Sequence, residues 1–432
     1  METELGFRGY SILLKSLPSH FLESIKEELY VKPLENPNFQ GSDPFPVFRV
    51  SKSKIYLPRH YAFEKYSTAK KNLLPQGQSI DLNFEGTIRD IQQQTIDATL
   101  IAFEKYNGGL VSLDTGLGKT VVALKLISML KVKTLVVVHA EFLLDQWAER
   151  IKQFLPGARI GIIRQDRCEI QETDIVIGMI QTIIKRDYPK GMFDSFGMLV
   201  IDEVHHTASR TFSSLFFKVQ TKYHLGLSAT PERKDGLSKV IYWFLGPQII
   251  TIKRETGIPS VKFIFTDVSN FEEKYNRVGK INNPTMITDL TLKNNRNDLI
   301  IKVILEYLNQ NRKILVLSDR RNQCEYFLKN LPEGIAGMYL GGMKSKNRQD
   351  STECSVILGT YQASGEGFDV PELDTVILAT PKSDVQQAIG RILRQKNKNE
   401  PIILDIVDSF SIFKGQYYKR RKFYKLSGIH FI

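Results

Sequence analysis

VSLDTGLGKTVVALKLISML, residues 111–130, moves from a strand pattern through a glycine-containing loop into an apolar helix. Val111–Leu113 has strand character, and the helical pattern runs from Val121 to Leu130. A strand, a Gly-containing loop and a helix in that order are the setting a phosphate-binding loop requires. Gly116 and Gly118 let backbone N–H groups close on phosphate oxygens, and Lys119 reaches the outer phosphates. Thr120 offers its hydroxyl to Mg²⁺, and the helix N-terminus adds a favourable dipole. Leu113 stands where the strict pattern carries Gly or Ala, and a Gly-rich turn is the alternative reading of the stretch by itself.

Some eighty residues on, VIDEVHH (200–206) is an apolar run that ends abruptly in Asp202 and Glu203. Acids at the carboxyl end of a strand sit where ligands bind in open α/β sheets. Asp202 suits Mg²⁺, and Glu203 suits the task of orienting and deprotonating an attacking water. An acidic helix start is the plainer alternative. His205 and His206 point different ways on a helix and show no third ligand, which favours a coupling or packing role over a metal site.

Two further stretches lie near the carboxyl end. QQAIGRILRQ (386–395) places Arg391 and Arg394 three apart, so they are expected to share a helix face. Two arginines aimed together suit a phosphate whose charge is shifting; an ordinary basic helix is the alternative. In GTYQASGEGFDVP (359–371), Gly365 and Gly367 permit a tight loop and Asp369 suits a ribose hydroxyl, against a plain surface turn ending at Pro371.

Around these motifs, short β-branched runs alternate with helical patterns. They lie at 111–113, 134–138, 174–179, 198–202 and 224–230, and again at 313–318, 355–360, 374–380 and 401–407. Such runs read as buried parallel strands with helices on both faces. The expected organisation is an accessory module over 1–80, one α/β domain over 81–255 and a second over 256–432, divided near GPQIITIKRETGIPS (246–260). In the module, Ser19 is the expected cap of a helix that buries Phe21, Leu22, Ile25 and Leu29. FRVSKSKIYLP is expected to form two strands around a basic turn, with Lys52, Lys54, Tyr56, Arg59 and Tyr61 as candidate nucleic-acid contacts or parts of a sheet cap. The tail KGQYYKRRKFYK (414–425) carries six Lys/Arg and four aromatics, which suit either a nucleic-acid contact or packing of the rings on the second domain.

Composition narrows the classes. A chain of 432 residues, 42% apolar and 25% charged, can bury large cores without staples, which argues against wholesale disorder. A formal charge of +12 favours a polyanionic partner. Cys168, Cys324 and Cys354 are far apart and odd in number, which argues against a disulfide framework or a zinc site and for a reducing, intracellular compartment. METELGFRGYSILLK shows no leader pattern, and no run approaches the ~18 apolar residues of a membrane span, so no membrane partner is expected.

The ordered motifs over residues 81–410 resemble those of the superfamily-two helicases and translocases. IRDIQQQ is similar to the adenine-reading Q motif, DTGLGKT to motif I and VVVHAEFLLDQW to motif Ia. DEVH resembles motif II in its DExH form, Ser228-Ala229-Thr230 motif III, and KILVLSDRRNQ motif IV. The 359–371 segment resembles motif V, and QAIGRILR matches QxxGRxxR of motif VI. The resemblance implies an α/β fold of two tandem RecA-like parallel-sheet domains with ATP between them, preceded by a small α+β N-terminal module.

The resemblance also implies roles for individual residues. ATP binding falls to Arg89, Gln92, Leu113, Asp114, Thr115, Gly116, Leu117, Gly118, Lys119 and Thr120, with Gly367 and Asp369. Mg²⁺ falls to Thr120 and Asp202, and catalysis to Glu203, Lys119, Gln387, Arg391 and Arg394. Asp202, Glu203, Val204 and His205 form the DEVH box, and Ser228, Ala229 and Thr230 couple hydrolysis to movement. His139, Gln181 and Thr360 are the implied nucleic-acid contacts. SATPERKDGLSKVIYWFLGP resembles the XPB-type branch, although that branch's Arg-Glu-Asp tripeptide is missing, and the overall style is that of large-DNA-virus helicases linked to transcription. The expectation is a monomeric, Mg-ATP-driven DNA helicase or translocase with 3′–5′ polarity, acting in viral transcription or repair with partner proteins there. If viral, it would work in a host cytoplasmic factory or the virion. A DExH RNA helicase or transcript-release factor, the motor of a restriction-type nuclease and a non-hydrolysing nucleic-acid-binding protein are the alternatives.

Overall fold

The run Thr134–Val138 shows why these segments become interior strands. Leu135 and Val137 enter one apolar cluster and Val136 and Val138 another, so both faces of the strand are covered. Each such side chain, fully buried, contributes about 1.5–3 kcal/mol. The computed structural model describes residues 1–34, 43–114, 116–206, 209–229, 236–253, 258–267, 271–343, 345–365, 368, 370–393 and 399–432. The chain divides into two compact units, Met1–Arg254 and Glu255–Ile432.

In the first unit, the main sheet runs Arg167–Cys168, Ile160–Arg164, Ile175–Met179, Thr134–Val138, Met198–Ile201, Tyr223–Ser228, Gly108–Leu113 and Gln248–Ile252 across its width. Every neighbouring pair is parallel except the first. The two units divide inside 246–260; within that stretch Gln248–Ile252 is an edge strand paired to Gly108–Leu113, and the second unit's first strand starts at Ser260. The second unit repeats the plan in the order Ala336–Tyr339, Val356–Thr360, Ile314–Ser318, Thr375–Leu378, Ile402–Asp408, Ser260–Thr266 and His430–Phe431, all parallel. Leu315 and Leu317 face one cluster and Ile314 and Val316 the other. These are two parallel-sheet α/β bodies of the RecA-like kind.

The N-terminal residues build a separate sheet within the first unit, ordered Arg49–Val50, Lys54–Leu57, Gly9–Leu13, Thr3–Gly6 and Lys71–Asn72. Arg49 faces Tyr56 and Val50 faces Ile55, so the two strands around the basic turn are present. The expected cap is corrected. The helix is Ser19–Glu28, Pro18 occupies the cap position, and no side chain caps it. Its inner face is Ile25 with Leu29 just beyond its end, while Phe21 is exposed.

This small sheet is fastened to the large one by Arg59. The guanidinium is fully buried and donates to the carbonyls of Thr221 (3.0 Å), Lys222 (3.3 Å) and Asn107 (3.1 Å). Burial pushes it down to about 9, still protonated at neutral pH. Tyr61, on the same helix, meets the edge of Trp243 at 5.4 Å. His60 and His224 lie beside the guanidinium, and both are pushed well below 6.5, first by burial and then by the Arg59 charge. Both are therefore folded in neutral. An unfolded chain binds protons at these sites below about 6.5 while the folded chain does not, so their stability contribution is present above that pH and is lost as pH falls below it. The melting temperature of the first unit is expected to decline from pH 7.5 toward about 5.5, with a shallower decline in His224→Gln. Equal slopes in the two proteins would refute the assignment to His224.

Candidate active site

The phosphate-loop residues are placed by the end of strand Gly108–Leu113 and the start of helix Lys119–Leu130. Gly116 (φ 83°) and Gly118 (φ 92°) both adopt left-handed backbone. A Cβ at Gly118 would sit 2.2 Å from Gln92 Nε2 and displace it, and the left-handed backbone there strains any residue but glycine. The irregular Leu113 is also explained. Its side chain is fully buried in the core, and its carbonyl accepts Lys119 Nζ at 3.2 Å. The position serves through backbone, and the side chain serves packing. Asp114 N–H donates to Ile252 O (3.1 Å) and its carbonyl accepts Leu117 N–H (3.2 Å), which closes the turn. Thr115 lies outside the described residues.

Arg89 and Gln92 converge on this loop from the start of helix Asp90–Tyr106. Arg89 Nη2 donates to Leu117 O (2.7 Å) and Gly116 O (3.3 Å), and Gln92 Nε2 donates to Leu117 O (3.2 Å). Gln92 Oε1 in turn accepts Arg89 N–H at 3.0 Å, one half of a capping box.

Across from the loop, strand Met198–Ile201 delivers the acid pair. Glu203 has φ 46°, an uncommon conformation for a side-chain-bearing residue. Its carboxylate lies 3.6 Å from Lys119 Nζ and 3.5 Å from His205 Nδ1. Asp202 is buried, and its carboxylate accepts Trp147 Nε1–H (2.8 Å) and the Glu203 N–H (2.9 Å). Burial, and next the neighbouring Glu203 charge, push Asp202 up to about 6, against the pull of Trp147 and Lys119. His205 Nδ1 meets Ser228 Oγ at 2.8 Å, so the acid pair and the end of strand Tyr223–Ser228 are joined by a side-chain bond. Val204 is buried in the core behind them and Ala229 is half-buried; Thr230 lies outside the described residues. His139 and Gln181 share one rim of the same sheet, where Gln181 Nε2 donates to His139 O at 2.9 Å.

Trp147 is the residue that motif reading missed. It sits on the inner face of helix Glu141–Phe154 with Leu143, Leu144 and Ile151, at 3.6-residue spacing that reads as core. Its ring is core, but its N–H holds the catalytic-side carboxylate. Trp147→Phe keeps most of the ring and removes one hydrogen bond to a charged acceptor, worth about 1.5–3 kcal/mol. ATP turnover is expected to fall about tenfold in protein that stays folded at the assay temperature, although the lost bond lowers its melting temperature. Steady-state kinetics within twofold of wild type would make the bond purely structural.

In the second unit, Gln387 is exposed on the short helix Gln386–Ile389, and Thr360 Oγ1 accepts Ala363 N–H at 3.2 Å. The helix expected over 386–395 ends at Ile389, with Gly390 as its cap, because Arg391 N–H turns back to Ala388 O (3.2 Å). Arg391 is buried and donates Nη1 to Phe368 O at 2.7 Å. Arg391 itself therefore stands beyond the end of the helix. Arg394, Gly367 and Asp369 lie outside the described residues.

The residues present fit an ATP phosphate group. Two left-handed glycines, a lysine and a helix N-terminus with no acid in its first turn meet at one point. Asp202, a carboxylate that burial makes costly to ionise, fits a cation near the phosphate-loop lysine, whose charge reaches it.

Known proteins resemble this chain over most of its length. The family described as the res subunit of type III restriction enzymes matches residues 85–233, and the helicase conserved C-terminal domain matches residues 295–396. A protein of Acanthamoeba polyphaga mimivirus, provisionally named an ATP-dependent RNA helicase, is 33% identical over 444 residues, 98% of this chain and 85% of that protein. A protein of Invertebrate iridescent virus 6, provisionally named a helicase, is 30% identical over 410 residues, 88% of this chain and 90% of that one. A protein of African swine fever virus with the same provisional name as the mimivirus one is 28% identical over 472 residues, 99% and 92% of the respective chains. The solved structure of T4 UvsW aligns with all of this chain and 99% of its own, at 17% identity and a TM-score of 0.41.

Proposed function

Because the chain belongs to the superfamily-two helicases and is an ATP-hydrolysing enzyme of that family, we propose that it uses Mg-ATP to move along DNA with 3′–5′ polarity, separating or remodelling strands during viral transcription or repair. The observation that carries the motor reading is one cluster: Lys119, Glu203, His205 and Ser228 linked in sequence at 3.6, 3.5 and 2.8 Å. A lysine at the phosphate loop is thus connected through the acid pair to a neighbouring strand end. A change at the outer phosphate has a side-chain route out of the site.

In this reading Arg89, Gln92 and residues 113–120 bind the nucleotide, and Thr120 with Asp202 would hold Mg²⁺, which supplies charge neutralisation on the phosphate oxygens. Lys119 gives up its contact with Glu203 to the phosphate. Glu203, so released, orients the attacking water and takes its proton. Arg391 and Arg394 meet the charge that moves to the leaving phosphate, assisted by Gln387. His205 and Ser228 relay the change, and His139, Gln181 and Thr360 contact the nucleic-acid backbone, so sequence preference is weak. The three cysteines are free thiols, which fits work in a reducing, intracellular compartment such as a viral factory. No helix among the described residues is long and apolar enough to cross a membrane.

A second reading is movement on RNA, favoured by the provisional names of the mimivirus and African swine fever virus relatives. The deciding experiment is steady-state ATPase with Mg²⁺, alone and with single-stranded DNA, duplex DNA, a forked duplex and single-stranded RNA, with Lys119→Ala as control. Stronger stimulation by DNA supports the first reading and stronger stimulation by RNA the second. Absence of turnover with every polymer, while binding persists, would overturn the motor reading.

A further inference from the structure

The carboxyl-terminal helix Ser411–Leu426 divides its basic and aromatic residues between two faces. Facing inward, Phe413 and Tyr424 are buried, and Tyr417 meets the ring edges of Phe263 (5.3 Å) and Phe265 (5.9 Å). Arg420 is also inside. It forks onto Asp405 at 2.8 and 2.7 Å and donates to Lys382 O at 2.7 Å, while Tyr424 Oη donates to the same carboxylate at 2.9 Å. One of the six tail cations is therefore a structural bolt, not a ligand contact. The helix is fixed to strand Ile402–Asp408 by a bidentate buried pair, so its outer face is presented rigidly.

That outer face carries Lys414, Lys419, Arg421, Lys422 and Lys425, all exposed, with Tyr418 51% exposed among them. Lys414, Tyr418, Arg421, Lys422 and Lys425 follow at spacings of three and four, which aligns them in one stripe. The helix contains no Asp or Glu, and none of the five outer cations is ion-paired among the described residues. This arrangement works against the helix itself. Like charges three and four apart repel, and Lys414 in the first turn opposes the helix dipole, which Lys425 in the last turn alone offsets in part. From Lys414 to Lys425 the stripe spans about 17 Å of helix axis, over which one strand of a duplex presents about five phosphates.

We propose that this outer face is a sequence-independent contact for the nucleic-acid backbone, separate from the phosphate loop and its acid pair, which holds the polymer while the motor cycles. The charge is complementary and the Tyr418 ring offers a stacking surface, while the other large apolar side chains exposed from this helix onward are confined to Leu426 at the helix end and to Phe431 and Ile432 beyond it. The inference rests on the helicase reading above.

The test uses the full chain with Lys419→Gln, Arg421→Gln, Lys422→Gln and Lys425→Gln combined; glutamine keeps the helix propensity. ATPase without polymer is expected to match wild type, and the melting temperature to match or slightly exceed it as the like-charge repulsion is relieved. Affinity for a fluorescein-labelled oligonucleotide is expected to fall roughly tenfold or more at physiological salt, and the slope of log K against log salt to flatten by about 3. Stimulated kcat at saturating polymer is expected to stay within about twofold of wild type. Wild-type affinity and slope in the variant would overturn the proposal, as would loss of kcat at saturation, which would place the helix in the motor. Loss of wild-type binding to phosphatidylserine vesicles with oligonucleotide affinity unchanged would overturn it in favour of a membrane contact. Failure of the wild-type chain to bind any oligonucleotide would sink the helicase reading itself, a result distinct from failure of the helix alone.

Discussion

Glu203→Gln is expected to bind ATP and nucleic acid at near wild-type levels while kcat falls by roughly 10²–10⁴-fold, the usual scale for losing a positioned general base. The substitution is nearly isosteric, so it leaves the unusual backbone of Glu203 (φ 46°) and its packing in place. It removes the one property that the proposed role needs, a carboxylate able to accept a proton. It also removes the charge that faces Lys119 Nζ at 3.6 Å. In the free enzyme that contact competes with the phosphate for the lysine, so ATP affinity should hold steady or rise slightly. The measurement is single-turnover phosphate release beside nucleotide binding by fluorescence. Turnover within tenfold of wild type would take Glu203 out of the base role and leave Lys119 and Asp202 as the machinery. Weakened ATP binding with intact turnover of the bound fraction would instead make Glu203 a support for the loop.

The strands were readable because parallel strands covered on both faces are runs of β-branched and aliphatic residues. Thr134–Val138 and Ile314–Ser318 fall on or within a residue of where periodicity puts them. Strands with mixed burial were not readable. Ile160–Arg164 alternates buried and half-buried residues and Gln248–Ile252 has no fully buried residue, so neither is a long apolar run of the kind that marks a strand covered on both faces, although both are rich in isoleucine. Position on the edge of a sheet is a tertiary fact, and local pattern does not carry it.

The site was legible for a different reason. Phosphate loops and acid pairs need particular residues at fixed spacing, and Gly116, Gly118, Lys119, Asp202 and Glu203 are such residues. What was hidden are the partners that come from elsewhere in the chain. Trp147 is 55 residues from the carboxylate it holds, and its helical spacing says only that it faces inward. Arg420 was hidden more deeply, since its neighbours in sequence are solvated cations and only the fold brings Asp405 to it. The same holds for Arg296, whose fork onto Asp408 (2.7 and 2.8 Å) lies 112 residues away. Long-range polar pairs of this kind leave no periodic trace.

Arg391→Ala is expected to lower kcat by about 10³-fold or more, with ATP affinity within a few-fold of wild type. The proposed role is contact with charge that develops only as the phosphate leaves, and such a contact appears in kcat, not in ground-state binding. The structure supplies a competing role that must be separated from it. Arg391 is buried, and its Nη1 holds the carbonyl of Phe368, in the segment between the strand Val356–Thr360 and Pro371. Loss of that bond costs about 1–3 kcal/mol, which lowers the melting temperature of the second unit but leaves most molecules folded at low temperature. Two readouts divide the roles. A merely structural arginine gives a kcat loss that shrinks on cooling, as the variant regains its fold, and Arg391→Lys, which keeps one donor toward Phe368 O, restores much of it. An arginine that meets the phosphate gives a loss that persists at low temperature in a fully folded variant. Lysine does not restore it, because a point charge on a flexible stem replaces a planar fork. Recovery of turnover on cooling would assign Arg391 to the loop and leave Arg394 to meet the phosphate alone.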